Sequence, residues 1–177
     1  RCTESGGDLN MHRRELLNLL QRHRTRFMDE AAYVRRAITF VEEHEDIFYR
    51  ELWPAHVTGS AWVVSPDRSR VLMMHHRKHG QWFQPGGHAD GDPDIFSVAQ
   101  REACEESGLR HLRPLSPQIF DIDVHGIPAR PGIAAESART APSLTISVAV
   151  SLAMLKAVVS PFGVAANISP AVLSVVS

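Results

Sequence analysis

A chain of 177 residues is long enough for one ordinary globular domain with a sizeable core, and 44% hydrophobic against 22% charged residues does not suit a disordered chain. A formal net charge of −1 argues against a nucleic-acid polymer or an anionic membrane as partner; a small phosphorylated substrate, met by local charge, stays open. Cys2 and Cys104 make neither a metal spacing nor a disulfide framework, and no basic-then-apolar signal opens the chain, so a cytoplasmic setting is expected.

In chain order, residues 1–10 read as a loose leader ahead of Met11, the start this layout suggests. Leu16, Leu17, Leu19 and Leu20 recur at helical spacing among Arg and His, which predicts an amphipathic helix from about Leu9 to His23. A second helix is expected from about Glu30 to Glu43, with Asp29 as its cap and Val34, Ala37, Ile38 and Val41 as its apolar stripe. Residues 11–54 therefore form a helical extension, and its plainest role is a packing layer.

The texture changes after Pro54. Val57 to Val64 is β-rich and ends at the turn Ser65-Pro66-Asp67-Arg68, and Val71 to His75 is a second short apolar run, so the pair reads as a hairpin. A short extended piece, Trp82 to Gln84, leads into Pro85-Gly86-Gly87. Asp92 and Pro93 then look like the cap and first residue of a helix that runs to about Ser107, where Gly108 supplies a left-handed stop. Ile119 to Val124 is the next expected strand. From Ile133 onward the chain is Ala-, Ser- and Val-rich, with Glu136, Arg139 and Lys156 its only charges. Residues 143–159 are apolar but too short, too serine-rich and too poorly flanked for a membrane span.

The chemistry lies between Gly87 and Leu109, GHADGDPDIFSVAQREACEESGL. Glu102, Glu105 and Glu106 stand at i, i+3 and i+4, which puts three carboxylates within an arc of roughly 100° on one helix face. Such a triplet either is a solvated acidic face or holds a hard divalent cation, for which oxygen donors and mutual repulsion are the right preconditions. Gly86 and Gly87 bring bare backbone just ahead of that helix, and Arg101, four residues before Glu105, is placed to fix a carboxylate rotamer. Arg77 and Lys78 either contact phosphates or belong to a solvated turn; Trp82 either stacks on a base or packs. His75, His76, His79 and His88 lack a zinc-like spacing and are expected at the surface or behind the site. Cys104 sits among the glutamates, whose charge would raise its pKa and keep it from acting as a nucleophile.

These spacings resemble the Nudix box: a glycine, five residues, a glutamate, seven residues, then Arg-Glu-aliphatic-any-Glu-Glu-any-Gly-aliphatic. Gly87, Arg101, Glu102, Glu105, Glu106, Gly108 and Leu109 fall on matching positions, and Ala103 takes the aliphatic slot. Pro93 replaces the family's first glutamate, with Asp92 and Asp94 beside it. The likeness runs from about His56 to Arg130 and includes WFQPGGHADGD at Trp82 to Asp92 and FDIDVHGIPAR at Phe120 to Arg130. It implies an α/β fold, an α/β/α sandwich around a mixed sheet with a helical extension in front. It implies Mg2+, or Mn2+ in its place, bound by Glu102, Glu105, Glu106 and the Gly86 carbonyl, with Arg101 positioning a glutamate. The implied reaction is hydrolysis of a diphosphate bond in a nucleoside diphosphate-linked substrate by metal-activated water. The alternative is a Nudix-fold protein that binds a ligand without catalysis. On this reading the core spans residues 55–132, and the likeness ends near Gly132. The tail, residues 133–177, is expected not to complete the sheet, although residues 143–151 alternate enough for one strand.

Overall fold

The computed structural model describes residues 9–52, 55–77, 80–126, 144–154 and 174–176. Helix α1 (Leu9–Arg22) packs on helix α2 (Met28–Glu43). Leu16 and Leu20, four residues apart on α1, and Ala37 and Val41, four apart on α2, are all almost fully buried in one core cluster. Arg13 locks the pair: its Nη1 donates to the carbonyls of Val41 at 2.8 Å, Glu42 at 3.2 Å and His44 at 3.2 Å. Those carbonyls are among the ones a helix C-terminus leaves without partners, and a cation there also complements the helix dipole. The expected Asp29 cap is not made. The helix starts earlier, with extended Phe27 at the cap position and no side-chain cap, so Asp29 lies inside the first turn, where its charge still favours the helix N-terminus. Glu30 turns inward instead: His23 Nε2 donates to it at 2.7 Å.

Among the described residues the sheet has seven strands: β1 (Ala55–Val64), β2 (Val71–His76), β3 (Gln81–Phe83), β4 (Gly86–His88), β5 (Leu112–Gly126), β6 (Leu144–Met154) and β7 (Ser174–Val176). The main order is β3-β2-β1-β6-β5, with β4 added to β1 and β7 to β2. Only β1 and β6 run parallel, which makes the sheet mixed. With helix α3 (Ile95–Ser107) laid on β1 and β4 and the α1–α2 pair docked at β5, the architecture is an α/β/α sandwich around a mixed sheet with a helical extension.

The β1–β2 hairpin forms at the expected turn. Asp67 accepts from Ser65 Oγ at 2.5 Å, Ser69 Oγ at 2.8 Å and Ser69 N–H at 3.2 Å, and these bonds lower its pKa to about 2. Strand β5 is longer than its sequence suggests. Pro114 and Pro117 interrupt the pattern, and two register shifts against β6 absorb them.

The expectation that the tail does not complete the sheet is overturned for residues 144–154. Strand β6 lies between β1 and β5, in register with β1 from Ala55↔Leu144 to Val64↔Ala153. Ile146, Val148, Val150 and Leu152 alternate onto the buried face and are at most 3% exposed. The composition that looked foreign suits the place: a strand with neighbours on both sides and both faces largely covered has no use for charge, so small and apolar residues fill it. Among the described residues no helix is long and apolar enough to cross a membrane.

Candidate active site

The site is a seam between β4 and α3. Strand β4 pairs antiparallel with β1 through Thr58↔His88, Gly59↔Gly87 and Ser60↔Gly86. Each glycine there has a neighbour where a side chain would go. A Cβ on Gly86 would stand 2.6 Å from the Ser60 Cβ, and one on Gly87 would land on the Glu102 carboxylate. Helix α3 comes just as close to β1: a Cβ on Gly59 would be 2.8 Å from Val98 Cγ1. The missing Cβ atoms of Gly59 and Gly87 let the helix lie directly on the backbone, and that of Gly86 lets β4 lie close to β1.

Helix α3 is well bounded, though not by the expected residue. Asp94, rather than Asp92, is the cap, accepting from Phe96 N–H at 3.0 Å and Ser97 N–H at 3.2 Å. Asp92 instead accepts from Asp94 N–H at 2.9 Å, and that turn carries Pro93 past before the helix begins at Ile95. Gly108 ends the helix in the left-handed region at φ 73°, as expected.

Of the three glutamates, the fold turns two toward the glycines. Glu102 packs on Gly87, and the Gly86 N–H donates to Glu106 Oε2 at 3.1 Å. Glu105 and Glu106 are both exposed residues, and the charge of Glu105 is felt at Glu106 and Cys104. The Glu106 pKa is raised, first by partial desolvation of its carboxyl and then by Glu102 and Glu105; the Gly86 N–H and His76 act the other way. Burial, more than Glu105, raises the Cys104 thiol, which keeps it from being a ready nucleophile.

Arg101 reaches a glutamate, and that glutamate is Glu102, not Glu105 four residues on. Its Nη2 donates to Glu102 Oε1 at 3.1 Å and to the His88 carbonyl at 3.1 Å, and its Nη1 lies 3.8 Å from Asp92 Oδ2. The side chain of a helical residue leans toward the N-terminus, here over the loop before α3, and Glu105 lies on the solvent side. Arg77 is exposed in the turn after β2, whereas Lys78 and His79 lie outside the described residues. Trp82 sits on β3, 41% exposed, with its ring 4.8 Å from that of His75, so it is not a core residue. The charge of His76, beside Arg77, reaches Glu106, which puts the β2–β3 end on the Glu106 side of the seam.

Two features escaped the sequence reading. His56 is 3% exposed on β1, stacks on His88 at 5.1 Å and, among the described residues, has no hydrogen-bond partner for either ring nitrogen. Burial first, then the charges of His88 and Arg50, hold its pKa below the ordinary value. The other is a bidentate pair in which Arg50 Nε donates to Asp90 Oδ1 at 2.8 Å and Arg50 Nη2 to Asp90 Oδ2 at 2.5 Å. In the sequence His56 stands just before the β-rich run and Arg50 is one charge among many, and no motif marks either. Only the non-glycine Asp90 before Gly91 hinted at a bend that needs holding.

The donor set suits a hard divalent cation. It consists of neighbouring carboxylate oxygens, one of them on Glu106 held up first by desolvation and then by Glu102 and Glu105, beside backbone that no side chain covers. Among the described residues no three His, Cys, Asp or Glu side chains already close on one point, so the glutamates are disposed along a face rather than built as a cage.

A carboxylate helix packed on a Gly-Gly strand, with an arginine bracing one glutamate, defines a protein with the Nudix loop–helix arrangement. The family comparison agrees: residues 54–140 match the NUDIX domain, so the chain carries a NUDIX domain over this segment. No curated protein matches the sequence. Solved structures similar to part of the chain include a C. elegans Ap4A hydrolase (16% identity, TM-score 0.36, 55% of this chain and 67% of that one). Another is a MutT protein from Bacillus halodurans (18% identity, TM-score 0.33, 54% of this chain and 55% of that one). A third is a bifunctional NMN adenylyltransferase/ADP ribose pyrophosphatase from Francisella tularensis, solved with AMP and a manganese ion (20% identity, TM-score 0.36, 71% of this chain and 33% of that one).

Proposed function

We propose that this protein hydrolyses a diphosphate bond in a small nucleoside diphosphate-linked substrate, with Mg2+ or Mn2+ as cofactor. The observation that carries the reading is the β4–α3 seam, where Glu102 and Glu106 meet the backbone of Gly87 and Gly86 without an intervening side chain. Glu102, Glu105 and Glu106 would hold the metal, together with the Gly86 carbonyl. When bound, the ion supplies an acidified, oriented water and offsets charge on the leaving phosphate.

The chain's own residues do the rest. Arg101 holds Glu102 at one rotamer through a contact at 3.1 Å, so one ligand is ordered in advance. The Gly86 N–H fixes one oxygen of Glu106 and leaves the other available. Arg77 and Lys78, at the β2–β3 end, are placed by this reading on the substrate phosphates, and half-exposed Trp82 on a base. Cys104 is a free thiol, in keeping with a reducing cytoplasm.

A phosphate-release screen tests the reading. Nucleoside triphosphates, dinucleoside polyphosphates and nucleotide sugars are incubated with the full chain, with and without Mg2+. Turnover of one class that needs the metal and is lost in Glu106→Gln supports it. A folded protein that turns over none of them, and binds Mn2+ no better than Glu106→Gln does, overturns it in favour of a non-catalytic Nudix-fold protein.

A further inference from the structure

The segment joining the helical extension to the sheet touches the loop before α3 with three successive residues. The Phe48 carbonyl accepts from Gly91 N–H at 3.0 Å. The Tyr49 ring lies on Gly91, where a Cβ would stand 2.9 Å from its Cε1. Arg50 grips Asp90 with two parallel bonds, at 2.8 and 2.5 Å. Ile47 anchors the same segment by accepting from Val57 N–H at 2.8 Å, and Ile47 and Phe48 are buried in the core. The held loop is bent: Asp90 has φ 50° and Gly91 φ 90°, so two consecutive residues lie in the left-handed region, one of them with a side chain. Directly beyond the bend, Asp92 reaches Arg101, and Arg101 reaches Glu102.

We infer that Arg50 and Asp90 are positioning residues for Glu102, so that the link between the extension and the sheet forms part of the active site. This rests on the metal role given to Glu102 above. An isolated exposed ion pair contributes little. This one differs because its fork geometry is fully used and because it works with two adjacent tethers that fix where the Asp90-Gly91 turn lies. The line of contact is continuous: Arg50 to Asp90, across Gly91 to Asp92, to Arg101, to Glu102. None of these groups apart from Glu102 would touch metal or substrate.

The test uses the full chain and Mn2+ alone, with free Mn2+ followed by electron paramagnetic resonance. Arg50→Gln and Asp90→Asn should each weaken Mn2+ binding by about tenfold, in line with other residues that orient metal ligands. Turnover should fall mainly in kcat rather than KM, and thermal melting should shift little. The exchanged pair, Arg50→Asp with Asp90→Arg, should recover most of the lost affinity. Arg50→Lys, which keeps the charge without the fork, should give a smaller loss, and it serves if Arg50→Gln does not fold. Wild-type Mn2+ affinity in the folded single variants, or a loss that follows melting and is not recovered by the exchange, would overturn the inference. Glu102→Gln separates the two claims: if it binds Mn2+ like the wild type, the metal assignment has failed; if it does not and Arg50→Gln does, only the positioning role has.

Discussion

Replacing Gly59 with alanine tests the seam at its tightest point. The residue is buried in the middle of β1, directly under α3. The added Cβ would stand 2.8 Å from Val98 Cγ1, 3.1 Å from Val98 Cβ and 3.2 Å from the Ala99 backbone nitrogen. Val98 is fully buried, with no free space to turn into, and the Ala99 contact is to backbone, so the helix itself must move. Overpacking of this kind costs about 1–3 kcal/mol. Against it stands a gain of about 0.4–1 kcal/mol, because alanine restricts the unfolded chain more than glycine does. The net expectation is a destabilisation of about 1–2 kcal/mol.

Urea unfolding followed by circular dichroism measures it, with a lower midpoint and an unchanged slope. Val98→Ala is the partner variant. Alone it leaves a cavity and costs about 2 kcal/mol, but in the Gly59→Ala background it removes the atom in the way. The two costs should therefore fall short of additive by about 1 kcal/mol in a double-mutant cycle. A Gly59→Ala protein as stable as the wild type, or strictly additive costs, would show that the close approach of α3 to β1 is not what excludes a side chain here.

The remaining expectations concern the site and the sheet. Chelator should abolish hydrolysis and Mg2+ or Mn2+ restore it, and Glu105→Gln or Glu106→Gln should lower the rate on the order of a hundredfold; full rate in either would remove that residue from the ligand set. Arg101→Lys should impair turnover and weaken metal binding measured by calorimetry, since lysine cannot reach the His88 carbonyl and Glu102 at once, whereas unchanged kinetics would make it a surface residue. The pKa values of His56 and His88 are both lowered in the fold, so the unfolded chain binds more protons below the ordinary histidine value of 6.5; stability should be full above that pH and decline as pH falls, and a His56→Phe variant should show a shallower decline in urea titrations across that range. Amide exchange across residues 144–154 should be as slow as in β1, because β6 is bonded on both sides; fast exchange there would expel it from the sheet.

What the sequence disclosed and what it hid divide along physical lines. The hairpin, the α3 stop and the carboxylate face are set by local rules: turn chemistry at Asp67, the left-handed Gly108, and the 3.6-residue repeat that puts Glu102 and Glu106 on one side. The cap was missed by two residues because Asp92 and Asp94 are chemically equal candidates, and only the chain's path past Pro93 chooses between them. Spacing also pointed Arg101 at a carboxylate, but its second contact, the His88 carbonyl, was hidden because spacing along a helix counts only neighbours on that helix. Strand β6 was hidden for a different reason. A central strand is specified by what covers it, and in an Ala-, Ser- and Val-rich segment nothing local marks the register that pairs Val57 with Ile146.

One constraint links the packing of this fold to its proposed chemistry. Gly59, Gly86 and Gly87 are neighbours across β1 and β4, and each lacks a side chain for a different neighbour: Val98 of the helix core, Ser60 of the adjacent strand, and the carboxylate of Glu102. The first brings α3 onto the sheet, the second lets β4 lie close to β1, and the third gives a charged group a place against backbone. A change at Gly59 or Gly87 moves the helix relative to the sheet, so loss of stability and loss of metal affinity should travel together there. At Glu105, which is exposed, they should separate: Glu105→Gln is expected to leave the urea midpoint unchanged while lowering activity. A loss of both at Glu105, or activity retained in a destabilised Gly59→Ala, would break the proposed link between how closely the helix packs and how well it holds a metal.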